Sequence, residues 1–168
     1  LKVAVLTAWG ALRSWVYVGH FIHGMELYEI TESLAGLPIQ VSFISFADIL
    51  RAGIPQDVNV IINAGRSGSA WSGGELWKNE KIIEALTEWI ADGGGFIGVG
   101  EPSACRHSSQ FFQLSHLLGV DREVGLTLNR TKTAWTAAPD EHFILQDNQE
   151  EIDLGQVEGI YVLSREAL

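Results

Sequence analysis

The sequence predicts a three-layer α/β fold, a parallel sheet with helices on both faces. Three observations carry this expectation. Short apolar runs alternate with amphipathic stretches along the chain, the order of repeated strand–helix units joined by right-handed crossovers. Two of the runs, Val3 to Thr7 and Phe96 to Val99, are apolar on successive residues, the mark of strands covered on both faces and lying in a sheet interior. The second run follows the triplet Gly93-Gly94-Gly95 and enters Gly98-Val99-Gly100-Glu101-Pro102, the frame of a sharp strand-to-helix turn.

The elements follow in order. Val3 to Thr7 is the first strand. His20 to Leu34 is a helix closed by Gly36 and Pro38. In the strand Ile39 to Phe46, Val41, Phe43 and Ser45 alternate with Gln40, Ser42 and Ile44. Asp48 to Ala52 is a short helix before Gly53 and Pro55. Val58 to Asn63 is the third strand. Glu80 to Ala91 is an amphipathic helix with Ile82, Ile83, Leu86, Trp89 and Ile90 on one stripe, stopped by Asp92 and the Gly triplet. Phe96 to Val99 is the fourth strand. Ser108 to Leu118 is the next helix, with Phe111, Leu114 and Leu118 inward. Leu126 to Thr136 is extended, and Val157 to Leu163 is a last strand. This order is flavodoxin-like.

Composition bounds the function. At 168 residues, 46% of them hydrophobic and 19% charged, the chain suits one domain with a sizeable core. A net charge of −10 argues against nucleic acid and anionic membranes, because phosphates would be repelled. No apolar run approaches the roughly 20 residues that span a bilayer. The single Cys, Cys105, excludes an internal disulfide and fits a reducing compartment, so a cytoplasmic location is expected. The chain starts inside a strand without a signal-peptide pattern and stops just after a strand-like run. It reads as a piece of a longer polypeptide.

In a parallel sheet the loops at the carboxyl ends of the strands share one rim, the usual ligand site. Here these are Ala8 to Gly19, Phe46 to Asp48, Ala64 to Asn79 and Gly100 to His107. In hydrolases with this frame, Gly-x-Cys-x-Gly places the nucleophile at the turn, where strain and a helix N-terminus activate it. That position is Gly100, and Pro102 stands two residues on. The scaffold is kept and the nucleophile is missing, so no catalytic residue is assigned.

The candidate binding residues lie on the same rim. Trp9, Gly10 and Arg13 follow the first strand: Gly10 permits close backbone approach, Arg13 offers an anion a fixed charge, and Trp9 and Trp15 offer stacking faces. Against this stands a surface loop using Trp for packing, of about equal weight. Arg66 heads a loop rich in Gly, Ser and Trp, for which a plain exposed loop is somewhat favoured. Glu101 stands beside the empty turn position, where a solvated carboxylate is the alternative. Cys105 with His107 or His142 would be the machinery of a stand-alone cysteine hydrolase or amidotransferase. A small buried Cys weighs more, and neither His has a partner at position 100. His20, His23 and Glu26 share a helix face but fall short of the three or four supported ligands of a zinc site. No metal and no cofactor are expected. A carbohydrate-binding module with a Trp-lined rim is a third reading.

The frame at Gly98 to Pro102 and the strand order resemble class I glutamine amidotransferases with Gly in the nucleophile's place. More specifically, Lys2-Val3-Ala4-Val5-Leu6-Thr7-Ala8-Trp9-Gly10, Leu12-Arg13-Ser14-Trp15 and Val41-Ser42-Phe43-Ile44-Ser45-Phe46 resemble the middle domain of the bacterial 1,3-β-galactosyl-N-acetylhexosamine phosphorylases, the lacto-N-biose phosphorylases. The resemblance covers most of the chain. It implies one amidotransferase-like domain over residues 1–168 of a larger enzyme built from a catalytic barrel, this domain and β-rich domains. It implies inorganic phosphate and a galactosyl-N-acetylhexosamine disaccharide as partners of the full-length enzyme, galactose 1-phosphate as product, and a general acid in the barrel. It therefore implies no catalytic residue here. The loop Ala8 to Trp15 would face the barrel domain and help bind phosphate or galactose, and Trp9, Gly10, Arg13, Arg66 and Glu101 are the candidate substrate-binding residues.

Overall fold

The computed structural model describes residues 1–8, 28–66, 71–105, 108, 110–122, 133–134, 151–152 and 160–162. Its centre is a four-stranded parallel sheet of β1 (Lys2–Thr7), β2 (Gln40–Ser45), β3 (Val60–Gly65) and β4 (Gly95–Gly100) in the order β2-β1-β3-β4. Between the strands run helix α1, described over 28–34, helix α2 (Phe46–Ala52), a 3₁₀ turn (Gly74–Lys78) and helix α3 (Glu80–Ala91). A four-residue helix α4 (Ser115–Leu118) follows β4. Two small antiparallel pairs complete the described residues: β5 (Val120–Arg122) with β8 (Ile160–Val162), and β6 (Thr133–Ala134) with β7 (Glu151–Ile152). The α/β class and the parallel sheet are as the sequence predicts.

Strand register and the two-residue period sort the side chains into faces. Ala4, Leu6, Ile44 and Ile61 lie on one face and pack with Phe46, Ile49, Trp77, Ile82 and Leu86, the inward sides of α2, the 3₁₀ turn and α3. Val3, Val5 and Ile62 lie on the other face and are also buried. α3 spans the residues its hydrophobic stripe predicts. Asn79 caps it by accepting from the Lys81 amide at 3.1 Å, and Ile82 and Leu86 are fully buried. α2 begins two residues earlier than predicted, at Phe46, because Ser45 and Asp48 form a capping box. The Ser45 hydroxyl accepts from the Asp48 amide at 3.1 Å, and the Asp48 carboxylate accepts from the Ser45 amide at 3.1 Å.

Two expectations are corrected. Among the described residues β4 pairs with β3 alone and forms one edge of the sheet, not its interior. Ile97 and Val99, on the face opposite α3, are 50% and 38% exposed. Ser108 to Leu118 is not one helix. Its described residues turn back, with an antiparallel bridge from Ala104 to Phe112, and only Ser115–Leu118 is helical. Phe111 and Phe112 meet edge to face with ring centroids 5.0 Å apart and pack with Ala104, a local cluster that the helical spacing concealed. Most of His20 to Leu34, of Leu126 to Thr136 and of Val157 to Leu163 lies outside the described residues.

Candidate functional site

The parallel strands put the ends of β1, β3 and β4 on one rim. Gly65 and Gly100 are register partners, and the Glu101 amide donates to the Gly65 carbonyl at 2.9 Å. Arg66 and Glu101 therefore leave the sheet side by side, as two adjacent strand ends. Arg66 is exposed and Glu101 partly so. Trp9, Gly10 and Arg13, predicted for the same rim, lie outside the described residues.

The turn at the end of β4 keeps one backbone feature of the nucleophile-bearing frame. Gly100 adopts φ +75, the left-handed conformation that a sharp turn demands and that a side chain resists. A Cβ built there lies 3.4 Å from the Gly65 carbonyl oxygen, so a side chain would find room but meet strain. Gly98 is needed for close packing, since a Cβ there falls 2.4 Å from Pro102 Cγ. The activating helix of a nucleophile elbow does not follow among the described residues. Pro102 and Ser103 form a turn instead, and α4 starts only at Ser115.

Beneath the rim lies a buried polar network that the sequence reading missed. Asn63, fully buried near the end of β3, donates through Nδ2 to the carbonyls of Trp71 (3.3 Å) and Ser72 (3.2 Å). Its Oδ1 accepts from the Ser103 amide at 2.9 Å. The Ser72 hydroxyl donates to the Arg66 carbonyl at 2.6 Å, and the Trp77 indole N–H donates to the Ser72 carbonyl. Trp77 is wedged edge-on against Phe46, ring centroids 5.0 Å apart. Ser103 stands at φ +54, which costs a non-glycine residue about 1–2 kcal/mol. Its carbonyl accepts from the Gln113 amide (2.9 Å) and its hydroxyl from the Leu114 amide (3.2 Å). The signal that pointed here is a lone Asn within the apolar run Ile61-Ile62-Asn63-Ala64. A polar side chain on a covered sheet face must find partners.

Cys105 is buried, and its thiol donates to Glu75 Oε1 at 3.7 Å. Glu75 in turn pairs with Lys78 at 2.5 Å, and that hydrogen bond holds the Lys78 ammonium above its ordinary pKa. An activated Cys needs an exposed, electropositive setting. Cys105 has a carboxylate neighbour and no access. His107, His142, His20, His23 and Glu26 lie outside the described residues. Among the described residues no group of His, Cys, Asp and Glu is arranged to hold a metal ion, and no helix is long and apolar enough to cross a membrane.

A four-stranded parallel sheet with helices between its strands makes this an α/β domain. The chain belongs to the family of the lacto-N-biose phosphorylase central domain, whose model matches residues 2–167. It is 41% identical over 169 residues to a 1,3-β-galactosyl-N-acetylhexosamine phosphorylase of Lachnoclostridium phytofermentans, covering 96% of this chain and 23% of that protein. It is 43% identical over 154 residues to the phosphorylase of that name from Bifidobacterium longum subsp. longum, covering 88% of this chain and 20% of that protein. A D-galactosyl-β-1→4-L-rhamnose phosphorylase of L. phytofermentans is 44% identical over 140 residues, covering 82% and 19%. The chain thus spans about a fifth of the length of these relatives.

Proposed function

We propose that this chain is a non-catalytic, amidotransferase-like domain, flavodoxin-like in topology, of a cytoplasmic phosphorylase. The whole enzyme would cleave β-1,3-galactosyl-N-acetylhexosamine with inorganic phosphate, giving galactose 1-phosphate and N-acetylhexosamine. The catalytic barrel belongs to the same polypeptide, and the rim bearing Trp9, Gly10, Arg13, Arg66 and Glu101 faces it. The observation that carries this reading is Gly100. The elbow keeps its left-handed backbone and has no atom with which to attack. The galactosyl group is common to the names of the three relatives, and two of them name N-acetylhexosamine, which favours that acceptor over the L-rhamnose of the third.

Arg66 brings positive charge to the rim of an acidic chain, Arg13 would add to it from the segment after β1, and phosphate is the anion such an enzyme would bind. The test is kinetic. Arg13→Ala and Arg66→Ala in the full-length enzyme are expected to weaken apparent phosphate affinity roughly tenfold, the loss of one charged hydrogen bond, with the fold intact. Unchanged phosphate and sugar kinetics in both variants would reduce the rim to a structural surface.

A further inference from the structure

We propose that Asn63 and Ser103 form a latch that presets the two rim loops as one unit and so fixes the spacing at which Arg66 and Glu101 are presented. Asn63 is a positioning residue in this scheme. The consequence for ligand binding rests on the rim reading above; the latch itself does not.

Asn63 sits on β3, but none of its three side-chain bonds serves its own strand. Two go up to the loop at Trp71 and Ser72 and one crosses to Ser103, beyond the end of β4. The first loop passes the constraint to Arg66 through the Ser72 hydroxyl, 2.6 Å from the Arg66 carbonyl. In the second loop the anchored residue is the one described non-glycine residue at positive φ, and it is held at its amide, carbonyl and hydroxyl at once. A strained residue persists only where its surroundings over-determine it. Here that surrounding is the Asn63 amide on one side and the Gln113–Leu114 turn on the other. An apolar residue at position 63 would fill the space and leave the Ser103 amide and two loop carbonyls buried without this partner.

The amide also makes the latch testable by chemistry. In Asn63→Asp the shape is retained, but at neutral pH a carboxylate faces the Trp71 and Ser72 carbonyls where an N–H₂ donated. When the carboxyl is protonated its O–H donates again. Burial against carbonyls raises the folded-state pKa of that Asp above its unfolded value, so the protonated form supports folding. The deficit of N63D relative to the parent chain is therefore smallest below the unfolded carboxyl pKa and grows as pH rises through the folded one.

The experiment is thermal unfolding of the chain, N63D and N63L across pH 4 to 8, with amide exchange by mass spectrometry and NMR. The latch predicts a Tm deficit for N63D that shrinks toward acid, and a deficit for N63L that does not. In N63L at pH 7, which removes the acceptor of the Ser103 amide, exchange should be roughly tenfold faster at Ser103, Leu114 and Glu101, while the Leu86 amide in α3 keeps its protection. A pH-independent N63D deficit, or faster exchange confined to Ser103, overturns the latch. Should N63L fail to fold, the N63D profile alone decides. If the latch behaves as described and Arg66→Ala leaves full-length kinetics untouched, the rim reading fails and the latch stands.

Discussion

β1 and β4 carry the same apolar signature in sequence and meet opposite surroundings. β1 lies between β2 and β3, and every residue from Val3 to Thr7 is buried. β4 has a described neighbour on one side only, and Ile97 and Val99 are half and more than a third exposed. Consecutive apolar residues report that a strand is fit to be covered. They do not report whether its outer edge is paired. The difference teaches that β1 is covered on both faces and both edges, while β4, among the described residues, is an edge strand that ends in the turn at Gly100.

The comparison breaks most visibly under truncation. Leu6→Ala removes a fully buried side chain from the cluster with Trp77 and Leu86 and is expected to cost about 2–5 kcal/mol. Ile97→Ala on the edge strand should cost less than about 1.5 kcal/mol, since half of that side chain is already in water. Urea unfolding of the two variants measures both. Equal costs would mean that β4 is as thoroughly covered as β1.

The elbow sharpens the comparison within β4. Gly98→Ala drives a methyl into Pro102 and is expected to destabilise by about 1–3 kcal/mol. Gly100→Ala meets no such clash and should show only the cost of positive φ, about 1–2 kcal/mol. If Gly98→Ala unfolds at the same urea midpoint as the parent chain, the turn is slack and does not hold the rim.

A smaller effect separates the β2 edge from both. Hydrogen bonds from the Ser45 hydroxyl and amide, with Arg51 adding its charge, hold the Asp48 carboxyl below its ordinary value of 3.8. A depressed folded pKa means that this stabilisation is complete above the unfolded value and is lost as pH falls through the folded one. Ser45→Ala should cost about 1 kcal/mol at neutral pH, and its deficit should narrow below about pH 4, followed by circular dichroism. A deficit constant across that window would remove Asp48 from the account.

Legibility in the sequence followed how local the determining forces are. α3 could be read to the residue because its cap Asn79, its stripe and its stop at Asp92–Gly93 all lie within the segment. Ser108 to Leu118 could not, because Phe111, Leu114 and Leu118 have helical spacing, while Phe111 and Phe112 pack with Ala104, which bridges to Phe112. Of the predicted site, the sequence put the loops of Arg66 and Glu101 on one rim, and the pairing of β3 with β4 makes the two residues neighbours. The support beneath them did not, since Asn63, Ser72 and Ser103 are joined across 9 and 40 residues of sequence. Side-chain hydrogen bonds at that separation leave no periodicity to detect.

The most direct measurement is a paired assay of the purified chain, folded by circular dichroism, for glutamine hydrolysis and for phosphorolysis of galactosyl-N-acetylhexosamine. With Gly100 at the elbow and Cys105 buried against Glu75, both rates are expected at the buffer background, before and after thiol alkylation. Glutamine hydrolysis that is lost on alkylating Cys105, or any phosphorolysis by the chain alone, would contradict the account.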